Sequence, residues 1–174
     1  ENDLIGYDLV IERARKAGKT KIVKKLEENG PPPYTVEEKG KYTFLFQKLY
    51  VFSPGPAGGG EFDSMSMFTP REYTVFDTIN LVRGLVKGVN YIYPQLVSVD
   101  FEKQVPRLET PVFFITGRYD YTCVQDIAYR YYNQLEAPVK KFYWFEHSGH
   151  NACYTEPEKF ISIIKRDILP IAEG

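Results

Sequence analysis

Pro111-Val112-Phe113-Phe114-Ile115-Thr116-Gly117-Arg118-Tyr119-Asp120 is the stretch that decides how this chain is read. Its first six residues make a short continuous apolar run, the form of a strand buried on both faces. A polar loop over 117–122 follows. Residues 124–135 then read as a helix whose inward stripe is Ile127, Ala128, Tyr131, Tyr132 and Leu135, broken by Ala137-Pro138. Lys141-Phe142-Tyr143-Trp144-Phe145 repeats the strand signal, and His147-Ser148-Gly149-His150-Asn151 is the loop after it. Residues 157–169 predict a last amphipathic helix through Phe160, Ile161, Ile164 and Ile168. Strand, helix, strand, helix implies a parallel sheet with a right-handed crossover.

Upstream the rhythm changes, and the chain reads as helices broken by polar loops. A first helix, capped by Asn2 or Asp3, uses Leu4, Tyr7, Val10, Ile11 and Ala14 at spacings of three and four. Gly18 suits its end, because glycine accepts left-handed backbone geometry. Thr20 is placed to cap a second helix carrying Ile22, Val23 and Leu26, which Gly30-Pro31-Pro32-Pro33 stops. Thr35-Val36-Glu37-Glu38 matches a capping box. The aromatic run from Tyr42 to Phe52 after it fits a helix or a strand, and core packing is its simplest use although it also suits a pocket lining. Residues 53–60 (SPGPAGGG) form a loop. Thr69-Pro70-Arg71-Glu72 is a second capping-box match, and Thr74 restarts the helix, which runs through Leu81, Leu85 and Val89 toward Tyr91. Pro94 argues against continuation.

Composition excludes several classes. The chain has 174 residues, 43% of them hydrophobic, enough for a real core. Twenty-two basic against 23 acidic side chains leave a net charge of -1, which gives no field for nucleic acid or an acidic membrane surface. No apolar run is long enough to span a bilayer. Two cysteines, Cys123 and Cys153, build neither a disulfide framework nor a zinc pair, so a reducing compartment, most simply the cytoplasm, is expected. The chain opens on Glu1-Asn2-Asp3-Leu4 with no signal peptide visible, which suggests either that its start has been removed or that it is part of a longer polypeptide.

The two polar loops lie at the carboxyl ends of neighbouring parallel strands, the edge at which open α/β sheets bind ligands. One carries Asp120, the other His147 and His150. A carboxylate on one strand end and an imidazole on the next can meet. The Asp then accepts a ring N–H, fixes the tautomer and leaves the other nitrogen as a base. His147 reads as a solvent-facing loop side chain, and both cysteines read as buried, inert thiols. Glu37-Glu38 and the acidic residues at 156 and 158 read as charges favoured at helix starts.

The words around these residues resemble the α/β-hydrolase superfamily. Leu108-Glu109-Thr110-Pro111 through Asp120 is similar to its strand and acid loop, and Ser148-Gly149-His150-Asn151 with Glu156-Pro157-Glu158-Lys159-Phe160 to its histidine loop and terminal helix. Phe101 through Val105-Pro106 resembles the return from the cap in the proline-iminopeptidase-like branch. Leu4-Ile5-Gly6-Tyr7-Asp8 and Gly30-Pro31-Pro32-Pro33-Tyr34 resemble that branch's helical cap. The resemblance implies an α/β fold with a helical cap over residues 1–97, followed at 98–174 by the carboxyl-terminal βαβα portion of a hydrolase sheet. It implies Asp120 as the acid and His150 as the base of a triad acting on a small peptide, amide or ester, with no metal or organic cofactor.

The nucleophile is a separate matter. In that family the G-x-S-x-G elbow precedes the cap, so the resemblance implies that it lies before residue 1, and none of the serines at 53, 64, 66, 98, 148 and 162 has glycine two residues away on both sides. The chain alone is then expected to hydrolyse nothing. Its partner would be the missing amino-terminal half or a second copy of itself. The other reading is a non-catalytic cap and binding module that associates through an unpaired sheet edge. Cap carboxylates such as Glu61, Asp63 or Glu72 are candidates for binding a substrate amine, and their spacing singles out none.

Overall fold

A computed structural model describes residues 1–52, 72–96 and 98–172. The Gly-rich loop and most of the Thr69–Glu72 motif lie outside the described residues. The chain combines helices with a small parallel sheet. Three helices come first: α1 (Asn2–Lys16), α2 (Thr20–Asn29) and α3 (Lys39–Phe52). The aromatic run is therefore helical, and its described apolar side chains pack into a core. Leu45 and Leu49 are buried with Tyr7, Val10, Ile11, Leu26 and Tyr34 in one cluster, flanked by Tyr42, Phe44, Phe46 and Phe52.

Three details of this helical part depart from the sequence expectation, the first being that Glu1 holds the cap position of α1, with Asn2 and Asp3 already inside the helix. Leu4 is 45% exposed, because α1 rests on α3 at Gly6, where an added Cβ would sit 3.2 Å from the Leu49 methyls. That close approach rotates the buried stripe to Gly6, Tyr7, Val10, Ile11 and Ala14. Thr20 is not a cap. The left-handed turn at Gly18 (φ 66°) starts α2 early, so Lys19 takes the cap position and Thr20 lies inside. The Thr35–Glu38 motif does close, its Glu38 carboxylate accepting from the Thr35 amide at 3.1 Å and hydroxyl at 3.2 Å, one residue ahead of α3.

Helix α4 (Val75–Leu96) begins at a capping pair in which Asp77 accepts from the Thr74 amide and hydroxyl at 2.8 and 2.7 Å. It runs past Pro94, against expectation. The missing N–H falls in the last turn, and nearby the Gln95 side chain supplies a donor to the Tyr91 carbonyl at 2.8 Å. Among the described residues no helix is long and apolar enough to cross a membrane.

After a short helix α5 (Phe101–Gln104), strands β1 (Val112–Gly117) and β2 (Lys140–Phe145) pair in parallel, with Phe114 opposite Phe142 and Gly117 opposite Phe145. The crossover helix is α6 (Gln125–Gln134). Alternation puts Phe114, Phe142 and Trp144 on one face, where they meet Tyr129, Tyr131 and Tyr132 of α6 in a chain of ring contacts. Ile115, Tyr143 and Phe145 take the other face, against Ala152, Phe160, Ile163 and Ile168. Helices thus cover both faces. Strand β1 is nonetheless only half-buried over Val112–Ile115, not fully buried as its apolar run suggested, and among the described residues no third strand joins the ladder.

The carboxyl-terminal helical stretch comprises α7 (Ala152–Thr155), α8 (Pro157–Ile163), a π-helical turn (Ile164–Ile168) and α9 (Leu169–Ala172). Here the expected stripe holds at Phe160, Ile164 and Ile168 and fails at Ile161. Ile163 is 3% exposed and Ile161 50%, because Phe160 and Ile163 set the inward face three residues apart. The wider π turn then brings Ile168 back to the core.

Candidate active site

The site is built where the two strands end. Asp120 lies three residues beyond β1 and His150 five beyond β2. In-register parallel pairing delivers both loops to one rim. Gly117 then lets the loops close on each other. A Cβ there would lie 2.1 Å from the Gly149 carbonyl oxygen and 2.3 Å from that of Ser148, so only glycine fits. The Tyr119 amide donates to the Ser148 carbonyl at 3.0 Å, and the Arg118 amide to that of Phe145 at 2.9 Å. Those bonds zip the loops together past the last strand residues.

The side chains Asp120 and His150 meet as the spacing predicted. His150 Nδ1 lies 3.0 Å from Asp120 Oδ2. A carboxylate only accepts, so the ring nitrogen carries the proton and Nε2 is the nitrogen left to act as a base. Asp120 is 7% exposed, and its other oxygen accepts from the backbone amides of Thr122 at 3.0 Å and Cys123 at 2.9 Å. This satisfies the buried carboxylate and fixes its direction. The His150 side chain remains 41% exposed. Its hydrogen bond with Asp120, and next that with Cys123, push its pKa up to about 10 from the ordinary 6.5, against an opposing effect of burial. These contacts favour the charged form of the ring, which must lose its Nε2 proton before that nitrogen can act as a base.

Neighbouring residues take roles that the sequence did not announce. Cys123, expected to be buried and inert, is exposed, and its sulfur lies within 4.8 Å of donor atoms of both Asp120 and His150. Cys153 is partly exposed. His147 faces solvent as expected, while its amide donates to Glu156 Oε2 at 3.1 Å. Ser148 is fully buried and its hydroxyl donates to the same oxygen at 2.6 Å, so the serine nearest the histidine is a brace for the loop. Glu156, read as a helix-start charge, does sit at the cap of α8, and it also ties down the histidine loop. Asn2 is the most distant support. Its amide donates to the Thr122 carbonyl and its oxygen accepts from the Val124 amide, both at 2.8 Å, which joins α1 to the acid loop. Glu72 is exposed, and Glu61 and Asp63 lie outside the described residues.

Among known proteins, the chain is similar to the probable aminopeptidase YbaC of Bacillus subtilis (strain 168), with 31% identity over 100 residues. The match covers 58% of this chain and 31% of that protein, so the chain spans under a third of the relative's length. No family model matches the chain, and no solved structure matches it.

Proposed function

We propose that this chain carries the acid and the histidine of a serine hydrolase of the α/β-hydrolase superfamily, in its proline-iminopeptidase-like branch. Residues 1–97 are the helical cap and 98–174 the carboxyl-terminal part of the core. Asp120 holds the His150 ring by Nδ1. Nε2 takes the proton of a serine supplied from outside this sequence as that oxygen attacks the carbonyl of a peptide, amide or ester. The imidazolium then protonates the departing amine or alcohol, and water releases the acyl group by the same steps. By itself the chain turns over nothing.

The reading is supported above all by the 3.0 Å contact between a buried, backbone-anchored carboxylate and a half-open imidazole at the ends of two adjacent parallel strands. The likeness to a probable aminopeptidase favours a hydrolase as the parent activity. An imidazolium favoured at rest means that proton acceptance improves as pH rises toward 10. The test is hydrolysis of aminoacyl arylamides and of short-chain aryl esters by the complete polypeptide in which this sequence occurs. His150→Ala and Asp120→Asn are expected to lower kcat by at least about a thousandfold with little change in KM. Full activity in the His150→Ala enzyme would reject the assignment, and so would turnover by the 174-residue chain alone.

A further inference from the structure

We propose that Asp120, Cys123 and His150 form a three-ligand site for a zinc-type divalent cation, which displaces the proton shared by the acid and the histidine. One carboxylate oxygen, one sulfur and one ring nitrogen lie within 4.8 Å of one another. Bonds of about 2.0–2.3 Å around a tetrahedral ion place such donors roughly 3.3–3.8 Å apart, so closing on the ion takes side-chain movement of the order of an ångström. The donor set is selective. Sulfur and imidazole favour zinc and similar soft ions over magnesium or calcium, which take oxygen.

Charge supports the same conclusion. A thiolate, a carboxylate and a neutral imidazole balance a dication, provided that the Cys123 thiol proton and the proton between Nδ1 and Oδ2 both leave to solvent. The frame is already in place. The Thr122 and Cys123 amides hold the far oxygen of Asp120 and leave Oδ2 turned toward the cluster. Asp120 and Cys123 sit three apart on one loop, and the Gly117 contact brings His150 to them. Cys123 and His150 are both exposed, so the fourth position opens to water. Because the ion takes Nδ1 and Oδ2, it breaks the contact by which Asp120 orients the ring, and its consequence for turnover is inhibition. That consequence rests on the hydrolase reading; ion binding does not.

The experiment is titration of the complete polypeptide with zinc chloride under a phosphine reductant, followed by cobalt(II) substitution. One equivalent is expected to bind, weakened at least about tenfold by Cys123→Ser and by His150→Ala. Cys153→Ser and His147→Ala leave it unchanged. Cobalt gives a thiolate-to-metal charge-transfer band that disappears in Cys123→Ser. Absence of saturable zinc binding, binding that survives Cys123→Ser, or a cobalt spectrum without the sulfur band would each overturn the proposal. Zinc binding by a protein that hydrolyses nothing would reject the hydrolase reading alone. Hydrolysis without zinc binding would reject the metal site alone.

Discussion

Replacing Gly117 by alanine tests the packing on which the acid–histidine pair depends. The new methyl would begin 2.1 Å from the Gly149 carbonyl oxygen, and real Cβ contacts essentially never fall below 3.0 Å, so the loop must retreat by at least about 0.9 Å. The three nearest atoms are all backbone, so side-chain rotation does not relieve the clash. His150 follows Gly149 directly and moves with it. If the ring retreats equally from Asp120, the 3.0 Å separation grows to roughly 3.9 Å, which is no longer a hydrogen bond. Overpacking of this kind costs about 1–3 kcal/mol, which for a chain of this length lowers Tm by roughly 2–12 °C. Circular dichroism melting reads the first effect. The low-field proton resonance of the His150 Nδ1–H, bound to a carboxylate, reads the second and is expected to vanish. Gly84→Ala is the control, since nothing lies within 4 Å of a Cβ built there. It should leave the resonance intact and stabilise α4 by up to about 1 kcal/mol. A Gly117→Ala protein with wild-type Tm and an undiminished His150 resonance would refute the reasoning.

Ser148→Ala removes a buried donor from the Glu156 carboxylate and should lower unfolding stability by about 1.5–3 kcal/mol, measured as a drop in the urea midpoint at constant m-value. Stability should also depend on pH through His150. Its folded pKa of about 10 lies above the ordinary 6.5, so the stabilisation is full below pH 6.5 and fades as pH rises through 10. Melting of the wild-type chain should therefore decline over that interval more than melting of His150→Gln, by an amount reduced by solvent at a 41% exposed side chain. In the helical part, Leu26→Ala at a fully buried position should cost about 2–5 kcal/mol, whereas Phe76→Ala at a 78% exposed one should stay within about 0.5 kcal/mol in the same denaturant assay.

The strand-and-loop words around Asp120 and His150 were legible because their physics is local. Apolar runs, a breaking Ala-Pro pair and polar loops fix two strands and a helix, and parallel pairing then determines which loop ends are neighbours. The companions of the pair were not legible. Gly117 reads as an ordinary loop glycine until the facing carbonyls of Ser148 and Gly149 are known. Cys123 reads as one more apolar side chain until its loop is seen to turn outward beside His150. Asn2 and Glu156 carry good helix-start chemistry of their own, which hides the partners that each also holds across the fold. Helix phase was the other gap. Leu4 and Ile161 fit the periodicity of their segments, yet a close contact at Gly6 and a pair of inward residues at Phe160 and Ile163 set the rotation differently.

The two 2.8 Å bonds from Asn2 act as a splint between the first turn of the first helix and the backbone that aims Asp120. Arg13, stacked 4.4 Å above the Tyr121 ring, clamps the same loop from the next turns of that helix, and Arg130 grips Glu1 with two bonds of 2.8 Å. The start of α1 is thus hydrogen-bonded directly to the loop that holds the carboxylate. Distant as they are in the sequence, the opening residues brace the rim at which Asp120 and His150 meet.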